Sequence, residues 1–166
     1  MIEVTVDSIQ VSLISQHRLV VLKEINAERY LPIWIGAFEA EAVSIRLQGI
    51  ETPRPLTHDL IVNLLQNLGA QVRYIFISAL RDDTFYARLV LDVNGTSMEI
   101  DSRPSDAIAI AVRLQSPIYV DEAVMTEAGV IPERNLLDPS KDEEQDLGVF
   151  RQFLDTLNMD DLERND

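Results

Sequence analysis

The sequence predicts an α+β fold: a mainly antiparallel or mixed sheet with two meanders, packed by three helices and followed by a C-terminal amphipathic helix. Three observations predict it. Strand-like and helix-like stretches are segregated, not alternated as in a doubly wound parallel sheet. The strand groups are joined by turns too short for parallel neighbours. A stretch of good helix formers stops at Gly49, and an apolar run of helical period stops at Gly69.

Taken in order, Ile2, Val4 and Val6 alternate with polar residues, and Ile9, Val11 and Leu13 do so in the opposite phase. A phase flip would turn the apolar set to the wrong face, so a β-bulge or bend is expected at Asp7-Ser8. Ser15-Gln16-His17-Arg18 reads as a turn, and Leu19-Val20-Val21-Leu22 as a strand covered on both faces. Tyr30 to Ile35 is a third strand, with Pro32 favouring an edge or a strand start. Ala37 to Gln48 is a helix. Thr57 is expected to cap the next, in which Leu60, Ile61, Leu64, Leu65 and Leu68 recur at helical spacing. Residues 71–80, 84–93 and 96–101 form a meander, turning at Arg81-Asp82-Asp83 and at Asn94-Gly95. Arg103-Pro104-Ser105-Asp106 opens a third helix over Ala107 to Leu114, and Ile118-Tyr119-Val120 is a short buried strand or connector. A boundary is expected near Pro132–Ser140, dividing a 1–130 domain from an acidic helical extension, 131–166. In that extension Leu147, Phe150, Leu154 and Leu157 form an apolar stripe.

Composition narrows the function. The 166 residues carry 28 acidic and 14 basic side chains and no cysteine, for a net charge of −14. Absence of cysteine excludes disulfides, thiolate zinc sites and cysteine nucleophiles. The acidity argues against binding nucleic acid through a broad basic field. It is uneven, however: residues 1–130 and residues 131–166 each carry a net −7, so the body is only moderately acidic. No basic, apolar leader opens the sequence and no stretch reaches the length of a membrane span, so a cytoplasmic protein without membrane contact is expected.

One pattern occurs twice: Arg54-Pro55-Leu56-Thr57-His58-Asp59 and Arg103-Pro104-Ser105-Asp106 each set an Arg-Pro before a hydroxyl residue and an Asp in a first helical turn. Free N–H groups at a helix start, with an arginine beside them, suit a phosphate or a carboxylate. The same residues also read as ordinary capping, with Thr57 and Ser105 as N-caps and the arginines paired to the acids. His58 is a candidate general base, metal ligand or polar surface group; His17 reads as surface. No spacing of zinc-site type occurs. A divalent ion held by oxygen, Mg²⁺ or Mn²⁺, has Asp59, Asp101, Asp106, Glu39 and Glu41 as candidate ligands. Glu39 and Glu41 are two apart and cannot aim at one point. Dinucleotide, P-loop and serine-hydrolase motifs are absent, so no organic cofactor is expected. Trp34 reads as core or interface.

Together, Leu31-Pro32-Ile33-Trp34-Ile35-Gly36, Glu39-Ala40, Arg54 to Leu60, Phe85-Tyr86-Ala87 and Asp101 to Ala107 resemble the signature blocks of the bifunctional nuclease domain family, formerly a domain of unknown function. The resemblance spans about residues 1–130, and the tail resembles the helical extension of some bacterial members. It implies an α+β domain forming homo-oligomers, and a nuclease that cleaves RNA and DNA with little sequence preference. It also carries over Arg54, His58, Asp59, Asp101, Arg103, Ser105 and Asp106 as motif positions. On the nuclease reading, Arg54, Arg103 and Ser105 bind substrate, Asp59, Asp101 and Asp106 hold a divalent ion, and His58 moves a proton with Asp59 and Asp106 in the catalytic set. On the alternative reading the chain is a non-catalytic oligomeric binding or regulatory module, and these residues are structural ion pairs. Convergence of the arginines and aspartates in one cleft favours the first; separate buried pairs favour the second.

Overall fold

The computed structural model describes residues 1–12 and 17–132. Its elements are β1 (Ile2–Val11), β2 (Arg18–Glu24), β3 (Tyr30–Ile35), α1 (Ala37–Leu47), α2 (Thr57–Asn67), β4 (Ala70–Arg81), β5 (Thr84–Val93), β6 (Thr96–Ser102), α3 (Pro104–Leu114), β7 (Ile118–Val120) and α4 (Glu122–Ala128). The fold is α+β, as its sequence predicts. One curled, seven-stranded mixed sheet runs β3-β2-β1-β7-β4-β5-β6.

The two meanders are β1-β2-β3 and β4-β5-β6, antiparallel throughout. Where the apolar phase flips in β1, Val6 pairs with Leu22 and Ser8 with Val21, so Asp7 is the extra residue of a bulge. That insertion keeps Ile2, Val4, Val6 and Ile9 with the core. Pro32 lies on the edge strand β3, opposite Val21, where its missing N–H costs no ladder bond. Both turns of the second meander have two residues at positive φ: Asp82 (47°) and Asp83 (56°), then Asn94 (52°) and Gly95 (82°). This is the twist that suits a two-residue hairpin.

β7 is more than a connector. It joins the meanders, antiparallel to β1 and parallel to β4, and is reached from β6 through α3. Its three residues are too few for any periodicity to reveal that central place. A fourth helix, α4, corrects the expectation of three. Asp121 caps it by accepting the Ala123 N–H at 2.9 Å. At seven residues it is too short to show a helical stripe. The predicted C-terminal amphipathic helix lies outside the described residues, as do Ser15 and Gln16 of the expected turn.

α3 is the pivot of the helical layer. Ala107 through Ala111 are all buried, and the alanines let the helix lie close to β4 and β5 on one side and to α1 and α2 on the other. α2 is less buried than its leucine spacing suggests. Val62 and His58 face inward, while Leu60, Leu64 and Leu68 are 53%, 52% and 74% exposed. Trp34 is not core; it stands half exposed with its ring edge-on to His17 at 5.8 Å.

Candidate active site at the starts of three helices

α1, α2 and α3 begin alike. Their N-caps are Gly36, Leu56 and Arg103, and each carries an acid at the third helical position: Glu39, Asp59 and Asp106. A carboxylate there complements the free N–H groups and the helix dipole. The expectation that Thr57 and Ser105 cap these helices is corrected. Thr57 is the first residue inside α2, and Ser105 the second inside α3, after Pro104 at the favoured first position. Capping falls to Asp59, whose carboxylate accepts the Leu56 N–H at 2.8 Å.

Two of these acids meet. Arg103 donates from Nε to Asp106 at 2.7 Å and from Nη2 to Glu39 at 2.8 Å. The other Asp106 oxygen lies 2.9 Å from Nε2 of His58. Glu39, Arg103, Asp106 and His58 thus form one chain of charged hydrogen bonds across the starts of α1, α3 and α2. His58, only 6% exposed, and Ser105 are the buried polar residues among those described. The Arg103 side chain is 66% exposed and reaches into solvent. Burial pushes the Asp106 carboxyl up, but hydrogen bonds from Arg103 and His58 outweigh it and hold the group below the usual carboxylate range.

Asp59 belongs to a second network. It accepts from Arg113 Nε at 2.6 Å, and Arg113 Nη1 reaches the carbonyls of Ala42 at 3.1 Å and Ala109 at 2.8 Å. The Arg113 side chain is 5% exposed, so one buried guanidinium ties α1, α2 and α3 together. Burial raises the Asp59 carboxyl, but the Leu56 N–H and Arg113 lower it further, leaving a net depression. Sequence reasoning missed Arg113. The available signal was a lone cation at the penultimate position of a helix whose preceding residues, Ala107 to Val112, are all apolar.

The remaining candidates stand apart. Arg54 is exposed in the loop before α2, its carbonyl accepting the Thr52 hydroxyl at 2.9 Å. Asp101 is exposed on β6 opposite Arg88, which pairs with Glu99 at 2.8 Å. The two Arg-Pro motifs are therefore not equivalent: Arg103 is a helix cap inside the cluster, and Arg54 is a loop residue. Asp59, Asp101 and Asp106 do not converge, and among the described residues no three His, Asp or Glu side chains are placed to hold a metal ion. The carboxylates present thus do not fit the expected divalent-ion site.

The two depressed carboxyls make stability pH-dependent. As pH falls below about 4, the unfolded chain takes up protons at these groups before the folded chain does. The folded state therefore loses stability with falling pH, between the ordinary carboxylate range and the lower folded values. We expect acid denaturation followed by circular dichroism to show this fall, and Asp59→Asn to flatten it. A parent and an Asp59→Asn variant with parallel profiles below pH 4 contradict the assignment.

Comparison with known proteins agrees with the residue pattern. Over 166 aligned residues the chain is 42% identical to an uncharacterized protein of Mycobacterium tuberculosis, spanning 96% of this chain and 97% of that one. It is 31% identical to Bifunctional nuclease 1 of Oryza sativa subsp. indica over 118 residues, which are 69% of this chain but 36% of the plant protein. Bifunctional nuclease 1 of Arabidopsis thaliana matches the same share at 28%. Residues 20–133, which hold all of α1, α2 and α3 and the cluster at their starts, match the family described as the bifunctional nuclease domain. The chain belongs to the bifunctional nuclease domain family.

Proposed function

We propose that the chain is a nuclease, cleaving RNA and DNA phosphodiesters with little sequence preference at the Arg103–Asp106–His58 cluster. The observation that carries this reading is the buried histidine, hydrogen-bonded to a carboxylate that an exposed arginine also holds. A charged Asp106 accepts the proton of Nε2 and so leaves Nδ1 as the basic nitrogen. In the proposed reaction Nδ1 takes a proton from water, the water oxygen bonds to phosphorus, and the bond from phosphorus to the departing sugar oxygen breaks. That oxygen takes its proton from solvent water, and the His58 imidazolium returns its proton to solvent. Arg103 grips a non-bridging phosphate oxygen and Arg54 contacts the flanking backbone, whereas Ser105, expected from the sequence to bind substrate, is buried in the first turn of α3 and makes no such contact. Asp59, bound to Leu56 and Arg113, holds α2 in place.

No step passes through a metal. Mg²⁺ or Mn²⁺ enters as a counter-ion of the substrate. With net charge −14 and few cations in the cluster, binding is weak, and because few phosphates are neutralised its fall with rising salt is shallow. The test is cleavage of labelled single-stranded RNA and DNA by the purified chain, with chelator or with Mg²⁺ or Mn²⁺. Activity that follows the protein through gel filtration is the expected result. Absence of cleavage under every condition overturns the reading.

The Asp59–Arg113 pair favours the second reading, a non-catalytic oligomeric module, because it uses a motif residue for architecture. The outcome of the same assay separates the two. Either reading includes a homo-oligomer, for which Leu60, Leu64 and Leu68 offer an exposed apolar stripe on α2. Light scattering is expected to give a multiple of 18.8 kDa, and Leu64→Glu to lower it. A monomer mass for the parent contradicts the oligomer.

A further inference from the structure

Glu39 and Gly36 form a device at the mouth of the cluster. Arg103 can grip a phosphate through two oxygens along either edge of its guanidinium, Nε with Nη2 or Nη1 with Nη2. Nη2 is common to both edges, and Glu39 Oε1 sits 2.8 Å from it. Asp106 holds Nε. Nη1 makes no hydrogen bond among the described residues. Glu39 takes one of the two Nη2 hydrogens, and together with Asp106 it sets two carboxylates against the single charge of Arg103, so the resting cluster opposes an incoming anion.

The glycine before α1 makes this arrangement fit. Gly36 has φ −67° and ψ 156°, an extended conformation open to any residue, so its backbone does not require glycine. Space does. A Cβ at position 36 would lie 2.2 Å from Glu39 Oε2. The Glu39 carboxylate rests against the bare Gly36 backbone, and its side chain is 17% exposed beside the far more open Arg103.

We propose that Glu39 is a displaceable carboxylate that guards Arg103. It holds an Nη2 hydrogen of Arg103 in the resting chain and gives it up to a phosphate. This rests on the reading of Arg103 as the phosphate ligand.

Two variants release Nη2 by unrelated means. Glu39→Gln keeps the shape and removes the charge. Gly36→Ala keeps the charge and drives the carboxylate aside, and only the flexible end of a side chain must move. The probe is inorganic phosphate, titrated while the Arg103 Nε–H resonance is followed by NMR at constant ionic strength. Both variants are expected to bind phosphate about tenfold more tightly than the parent, and adding Arg103→Ala to either is expected to abolish the gain. Unchanged or weaker binding in either variant overturns the proposal, as does a gain that survives Arg103→Ala. Because the readout is binding, a chain that cleaves nothing but shows the gain retains the guard and loses the nuclease reading. A chain that cleaves without showing the gain does the reverse.

Discussion

His58→Ala is expected to lower kcat for phosphodiester cleavage by about 10²–10⁴-fold, the usual contribution of a positioned proton-transfer group. KM is expected to change little, because the phosphate contacts come from Arg103 and Arg54. The geometry explains the size of the effect. His58 is buried, one ring nitrogen is fixed by Asp106 at 2.9 Å, and no other histidine lies in the cluster. The sequence has a second histidine, His17, beside Trp34 at the start of β2. His17→Ala is therefore the control, expected to cleave like the parent. His58→Gln keeps most of the buried volume and separates loss of the base from loss of packing. Equal kcat for the parent, His58→Gln and His58→Ala would remove His58 from the mechanism.

The second large effect is on stability. Arg113→Ala is expected to destabilise the fold by about 3 kcal/mol, the scale of breaking a buried ion pair from one side. Three acceptors lose their donor together: Asp59 and the carbonyls of Ala42 and Ala109. Asp59 keeps only the Leu56 N–H, and the contacts joining α1 to α2 and α3 lose their centre. For a domain of this size the melting temperature is expected to fall by roughly 6–12 °C. Arg113→Lys is expected to recover part of this, since an ammonium reaches one partner and not the planar set. A melting temperature within about 2 °C of the parent for Arg113→Ala contradicts the role given to this residue.

Legibility in the sequence followed from whether a signal was local. The β1 bulge was legible because alternation has a fixed period, and Asp7 breaks it. The turns at Asp82-Asp83 and Asn94-Gly95 were legible because positive φ restricts residue choice. β7 and α4 are too short to carry a period, and their places depend on pairing with β1, β4 and β3 far along the chain. In the site, the pattern that held Arg103, Asp106 and His58 was visible as two helix openings. Their meeting was not, because 48 residues separate His58 from Asp106 and only the packing of α2 on α3 joins them. The same pattern misled at Thr57, where Asp59 does the capping that a hydroxyl usually does, and at Ser105, which lies inside α3 after Pro104 takes the first helical position. Asp59 looked equivalent to Asp106, and the difference is made by Arg113, which spacing alone did not connect to it.

The most direct measurement is the cleavage of labelled RNA and DNA by the parent and by Asp106→Asn, both taken from a single gel-filtration peak and matched by circular dichroism. Asparagine preserves the shape of Asp106 and removes the charge that fixes the His58 tautomer. Cleavage by the parent, reduced at least about 100-fold in Asp106→Asn, is the predicted result. Equal cleavage by the two proteins, or none by the parent, would contradict it.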